Sequence, residues 1–75
     1  MIATHTIEAI SFEQDLICLR VDGQLIKLPL SKVSKKLELA NSIQRNLYTI
    51  SPSGYGIHWP LIDEDLSVDS LLKNI

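Results

Sequence analysis

YTISPSGYGIHWPLIDEDLSVDSLL, residues Tyr48 to Leu72, is the segment around which the rest of the chain is read. It holds the single Trp, two of three Pro, two of three Gly and four of nine acids, so turn formers and core formers alternate within it. Tyr48-Thr49-Ile50 is aromatic and β-branched, the composition of a pleated, half-buried surface. Ser51-Pro52-Ser53-Gly54 is a turn: Pro presets φ, Gly permits φ > 0, and the serines bond to nearby backbone. Tyr55-Gly56-Ile57-His58-Trp59 reads as a second strand, and two such runs around a short Gly-containing connection predict a hairpin. Pro60 donates no ladder hydrogen bond and ends that strand or lies on an edge. Acids follow. Ser67 is the expected N-cap of a last helix from Val68 to about Lys73, with Asp69 complementing the dipole in its first turn.

Upstream, Thr4 to Phe12 reads as a first strand and Glu13-Gln14-Asp15 as a polar turn. Leu16 to Val21 and Gln24 to Leu30 form the next two strands. Asp22-Gly23 between them is a two-residue hairpin signal, because a type I′ turn needs φ > 0 at both central positions. That turn fixes the register: Val21 faces Gln24, Leu19 faces Ile26 and Ile17 faces Leu28. Five of these six are apolar and share one face. A slip by one residue would turn the apolar set to water.

Ser31 or Ser34 caps a helical segment in which Val33, Leu37 and Ala40 share a face, with Lys32, Lys35, Lys36 and Glu38 elsewhere. Leu39 is off that stripe. Asn41-Ser42-Ile43-Gln44 resembles a capping box, with Asn41 as cap and Gln44 at N3. The expectation is a helix, a break near Asn41 and a short second turn to Asn46; one continuous helix is the alternative. The fold class is therefore α+β: a single small domain over residues 1–75 with an N-terminal three-stranded antiparallel meander, a central helical segment, a β-hairpin and a short C-terminal helix.

Composition narrows the function. A chain of 75 residues buries only about 60% of its unfolded surface and has little room for a deep catalytic pocket. Hydrophobic content of 45% and charged content of 21% exclude wholesale disorder. One cysteine excludes an intramolecular disulfide and a multi-cysteine zinc cage. Cys18 reads as a small apolar residue. The N-terminal residues lack the pattern of a signal peptide and no apolar run reaches membrane-span length, so a cytoplasmic location is expected. Net charge −2 and pI near 5.5 argue against general nucleic-acid affinity. Charge is segmented: residues 1–26 sum to −3, residues 27–60 to +4 and residues 61–75 to −3. A basic middle between acidic ends is either a partner surface or a pair of solvated faces with weak mutual attraction.

Phosphate loops, nucleophile elbows and zinc-protease helices are missing, so no catalytic residues and no cofactor are expected. His58 with Asp63, Glu64 and Asp65 is the one constellation with metal-ligating chemistry. Its spacing fits no metal loop, and the expectation is that these acids precede a helix N-terminus and bond its free N–H groups. Trp59 is expected in the core; its alternative is an exposed anchor alongside Tyr55. Lys32, Lys35 and Lys36 have the chemistry to meet phosphate backbone but are more simply a solvated helix exterior.

The residues from Ala40 to Leu72 also carry a resemblance. Gln44-Arg45, Tyr48, the run Ile50 to Pro60 and Asp63-Glu64-Asp65-Leu66-Ser67-Val68 resemble the signature of the bacterial domain-of-unknown-function family 2442. The first half is similar in layout: a strand, an Asp-Gly hairpin and a helical stretch. Members often place Pro-Arg where this chain has Lys35-Lys36, Trp where it has Tyr48, and a polar residue where it has Ile43. The resemblance implies a compact α+β domain. Some relatives are fused to a helix-turn-helix and some are encoded beside small toxin-like proteins, which implies regulatory or antitoxin duty. The family brings no catalytic residues. The expected role is a non-enzymatic protein-interaction module that binds a small toxin-like protein. Its expected contact residues are Lys32, Lys35, Lys36, Arg45, Tyr55, Trp59, Asp63 and Asp65. A small-molecule or metal site at His58 and Asp63–Asp65, and a nucleic-acid-binding regulator, are the alternatives. An exposed strand edge gives a route to a homodimer.

Overall fold

The Asp22-Gly23 turn adopts φ of +51° and +81°, the left-handed conformation that a type I′ turn requires at both positions. The computed structural model describes residues 5–52 and 54–73. In it the turn joins β2 (Leu16–Val21) to β3 (Gln24–Pro29). The pairs are Val21 with Gln24, Leu19 with Ile26 and Ile17 with Leu28, the register expected from turn and pattern together. All of these but Gln24 are buried.

β1 (Ile7–Glu13) pairs antiparallel with β2 and completes the meander. The first strand was expected from Thr4, which lies outside the described residues; His5 and Thr6 precede the strand. Pairing shifts between Ile7 and Ala9, leaving Glu8 as the extra residue of a bulge. The bulge has a packing reason. Phe12 and Ile10 lie opposite Ile17 and Leu19 on the core side. Strict alternation would bring Glu8 to that side next. The extra residue instead places Ile7 opposite Val21 and against the core, while the Glu8 carboxylate accepts from the Gly23 N–H at 2.6 Å.

The helical segment breaks twice. α1 (Leu30–Val33) ends at Ser34, which is extended and serves as N-cap of α2 (Lys35–Leu39), its hydroxyl accepting from Leu37 N–H. Asn41 then caps α3 (Ser42–Asn46) with a full capping box: its side chain accepts from Gln44 N–H, and the Gln44 side chain accepts from Asn41 N–H. The break at Asn41 is thus as expected. The continuous helix is excluded, and the further break at Ser34 is an addition. Of the two proposed caps, Ser34 is used and Ser31 lies inside α1.

β4 (Thr49–Ile50) and β5 (Gly56–Trp59) form the expected hairpin, shortened at both ends. Ser51 Oγ accepts from both Tyr55 N–H and Gly56 N–H and organises the connection; Ser53 lies outside the described residues. The chain then turns through Pro60 to Asp63, where Asp63 takes φ +51°. Here the expectation is corrected. Glu64 to Ser67 is not a run of loop acids before a helix. It is a strand, β6 (Glu64–Ser67), paired antiparallel with β5 so that the order is β4-β5-β6. The ladder offered by β5 satisfies backbone that a loop would leave to water, and this outweighs the poor strand propensity of two acids. Ser67 caps α4 (Val68–Leu72), its hydroxyl accepting from Ser70 N–H, as expected.

The core joins both sheets and the helices. Ile17, Leu19, Val21, Ile26 and Leu28 come from the meander, Leu30 and Leu37 from α1 and α2. Ile57 and Trp59 come from β5, Val68 and Leu71 from α4. The architecture is α+β, with two three-stranded antiparallel sheets among the described residues.

Candidate functional site

Two faces gather the candidate residues. The first is the outside of α1, α2 and α3. Lys32, Lys35 and Lys36 are exposed there, and Lys36 Nζ donates to the Asp63 carbonyl at 3.0 Å. The same stretch leaves three large aliphatic side chains in water: Leu39 at 75%, Ile43 at 73% and Leu47 at 48% exposure. Leu39 ends α2, Ile43 lies in α3 and Leu47 is the extended residue after it, so the break at Asn41 separates the first from the other two. The expected contact set omitted them. Leu39 falling off the apolar stripe, and Ile43 standing where relatives are polar, were the signals that pointed there.

Arg45, named among the expected contact residues, is half-buried and turns its donors into the fold. Its Nε donates to Leu37 O at 2.9 Å, Nη2 to Glu38 O at 2.9 Å and Nη1 to Gln14 O at 2.8 Å. The guanidinium also lies over the Phe12 ring, 5.6 Å from its centroid. The α2 C-terminus has free carbonyls, and a planar five-donor group is suited to collect them. Arg45 therefore clamps the helical segment to the β1–β2 turn.

Trp59 is in the core, as expected, and the alternative of an exposed anchor is not met. It is 0% exposed, its indole N–H donates to Arg45 O at 2.9 Å, and Tyr48 packs at a tilt with ring centroids 6.2 Å apart. Its large apolar area and single donor are both satisfied inside, so it presents no anchor to a partner. Tyr55 is exposed, and the joint Tyr55–Trp59 surface does not form.

The second face is a groove of about 680 Å³ across β4, β5 and β6. Its lining includes Ile50, Pro52, Tyr55, Gly56, His58, Asp65 and Leu66. Cross-strand pairing places Thr49, His58 and Asp65 side by side on one face. His58 Nδ1 lies 2.7 Å from Asp65 Oδ1, an N–H donating to a carboxylate. The other two acids are directed elsewhere. Glu64 Oε2 accepts from Ser34 Oγ at 2.5 Å and Oε1 from Asp65 N–H at 3.0 Å. Asp63 is exposed at the turn. The four residues named for a metal therefore divide between separate partners. Among the described residues no group of three or more His, Cys, Asp and Glu side chains is placed to hold a metal ion. Nor is any helix among them long and apolar enough to cross a membrane.

These features define a class: a small α+β domain with Arg45, Ser34 and Glu64 tied into internal clamps and with exposed apolar side chains on the helical stretch and in the groove. The chain belongs to the family described as protein of unknown function (DUF2442), which it matches over residues 7–75. The match takes in the first half, where the resemblance was one of layout. Comparison with curated proteins found no match, and comparison with solved structures found none either.

Proposed function

We propose that this chain is a non-enzymatic protein-interaction module of the cytoplasm, the antitoxin or regulatory partner of a small toxin-like protein. The observation that carries this reading is the exposure of Leu39, Ile43 and Leu47 on the same helical stretch, residues 30–47, that exposes Lys32, Lys35 and Lys36. Apolar surface left in water forgoes about 25 cal/mol per Å² that a partner would recover. Exposed lysines on the same stretch favour a partner with acidic groups, where charge steers encounter. Tyr55, Asp63 and Asp65 extend the contact surface at the second sheet. The family's association with toxin-like neighbours supports the same reading.

The test is co-purification of tagged chain from its native cell, followed by reconstitution of the two purified proteins. One small protein bound in equal stoichiometry is expected, with binding lost in Leu39→Asp/Ile43→Asp, weakened in Lys35→Glu/Lys36→Glu, and weakened by added salt only where the lysines are kept. A folded bait that retains no stoichiometric partner, or a partner indifferent to the helical variants, overturns it.

A second reading rests on the groove, where Tyr55, Leu66 and the His58–Asp65 pair line one concavity. In that reading the site takes a small molecule with an apolar body and a polar end. Chemical-shift changes confined to groove residues in a ligand screen would favour it over the protein partner.

A further inference from the structure

Both ring nitrogens of His5 face carboxylates that come from distant parts of the chain. Nδ1 lies 3.0 Å from Asp22 Oδ2 in the β2–β3 turn, and Nε2 lies 2.8 Å from Asp69 Oδ1 in α4. The imidazole side chain is 12% exposed. Its backbone is held as well: a Cβ on Gly54 would sit 1.8 Å from the His5 carbonyl oxygen, so the β4–β5 connection packs directly on it. Four parts of the fold meet at this one residue.

We propose that His5 is a proton-dependent clasp that fixes α4 against the meander and releases it when the imidazolium loses its proton. Only the imidazolium has an N–H on each nitrogen; the neutral ring donates to one carboxylate and turns a lone pair to the other. The two arms are unequal. Asp22 Oδ1 also accepts from Thr6 N–H at 2.8 Å, and Asp22 N–H donates to Thr6 O at 2.9 Å, so the turn stays tied to the entry of β1 without the proton. The loss therefore falls on Asp69. α4 has five residues, too few to hold helical structure alone, and its Val68 and Leu71 complete the core.

The charged groups facing the ring are Asp22 from the turn and Asp69 from α4. The Gly54 connection brings backbone, and the Glu8 carboxylate from β1 is engaged with Gly23 at the hairpin tip. Hydrogen bonds to Asp22 and then Asp69 raise the His5 pKa above its ordinary 6.5. A raised value means the clasp is closed below pH 6.5 and opens as pH rises through the folded-state value.

The experiment is an NMR titration of the chain between about pH 5 and pH 9, following the imidazole nitrogens of His5 and the amides of Ser70, Leu71 and Leu72. The expected result is a His5 midpoint above 6.5, with α4 amide shifts following that midpoint. α4 exchange protection, corrected for the intrinsic rate, is lost over the same range. In Asp69→Asn the carboxamide still accepts but carries no charge, so the midpoint moves down toward the ordinary value. In His5→Gln the α4 response disappears. A His5 midpoint at or below 6.5 overturns the proposal, as does an α4 response that persists in His5→Gln. Should His5→Gln fail to fold, the Asp69→Asn midpoint decides.

Discussion

Gly23 and Gly54 share a left-handed backbone, with φ of +81° and +67°, yet substitution should separate them. Nothing lies within 4 Å of a Cβ built on Gly23. Gly23→Ala therefore carries only the conformational penalty, about 1 kcal/mol. At Gly54 the added atom meets the His5 carbonyl, which belongs to backbone and cannot swing aside. Gly54→Ala is expected to cost on the order of 2–4 kcal/mol, combining left-handed strain with overpacking. Urea unfolding midpoints of the two variants check the difference, and equal losses would mean that the Gly54 approach is not maintained in solution. Arg45 makes a second residue-scale prediction. Its three carbonyl acceptors lie on Gln14, Leu37 and Glu38, a spread that a fork reaches and a compact ammonium does not. Arg45→Lys should cost about 1–3 kcal/mol even though the charge is kept.

At the scale of elements, the helical segment is a set of short pieces held by their caps. α1, α2 and α3 have four, five and five residues, each too short to be stable without caps and tertiary contacts. The two caps differ in what they touch. Asn41 bonds within its own exposed capping box, so Asn41→Ala should cost about 1 kcal/mol. Ser34 is buried and does two jobs: its hydroxyl accepts from Leu37 N–H and donates to the Glu64 carboxylate. Ser34→Ala loses the cap and also leaves a half-buried carboxylate short of a donor, for about 2–3 kcal/mol. Ser34→Ala/Glu64→Gln should recover part of that loss in a double-mutant cycle. No recovery would show that the two residues act independently.

For the whole molecule, pH sets how many of the long-range polar ties are intact. The Asp22 pKa is lowered below its ordinary 3.8, chiefly by the hydrogen bond from Thr6 N–H and then by His5. A depressed carboxylate contributes stability that is present above 3.8 and is lost as pH falls through the folded-state value. His5 has the opposite sign, contributing below 6.5 and losing its contribution as pH rises through its raised value. The thermal midpoint is therefore expected to be highest between pH 3.8 and 6.5 and to fall on both sides. Asp22→Asn should flatten the acid limb, and His5→Gln the alkaline one. A thermal scan across pH in dilute buffer checks both, and a midpoint that keeps rising above neutrality would contradict the His5 assignment.

Interactions between near neighbours along the chain settled one part of this fold. The Asp22-Gly23 turn and the alternation around it fixed one register because both act within a few residues, and the Asn41–Gln44 capping box and the Ser67 cap are equally local. The candidate surface was legible as a basic helix with Leu39 out of phase. Tertiary structure alone decided the rest. Glu64 and Asp65 became a strand because β5 offered a ladder and Ser34, 30 residues away, offered Glu64 a donor. Arg45 turned inward because its acceptors lie 7, 8 and 31 residues away. Glu8 was bulged out so that Ile7 reached the core. His5 became a junction because the fold carried Asp22 and Asp69 to its two nitrogens. Apart from the Glu8 bulge, which serves the apolar Ile7, each of these depends on the direction of a half-buried polar group. Such a group is satisfied by whichever partner the packed chain brings within about 3 Å, and spacing in sequence does not encode that distance.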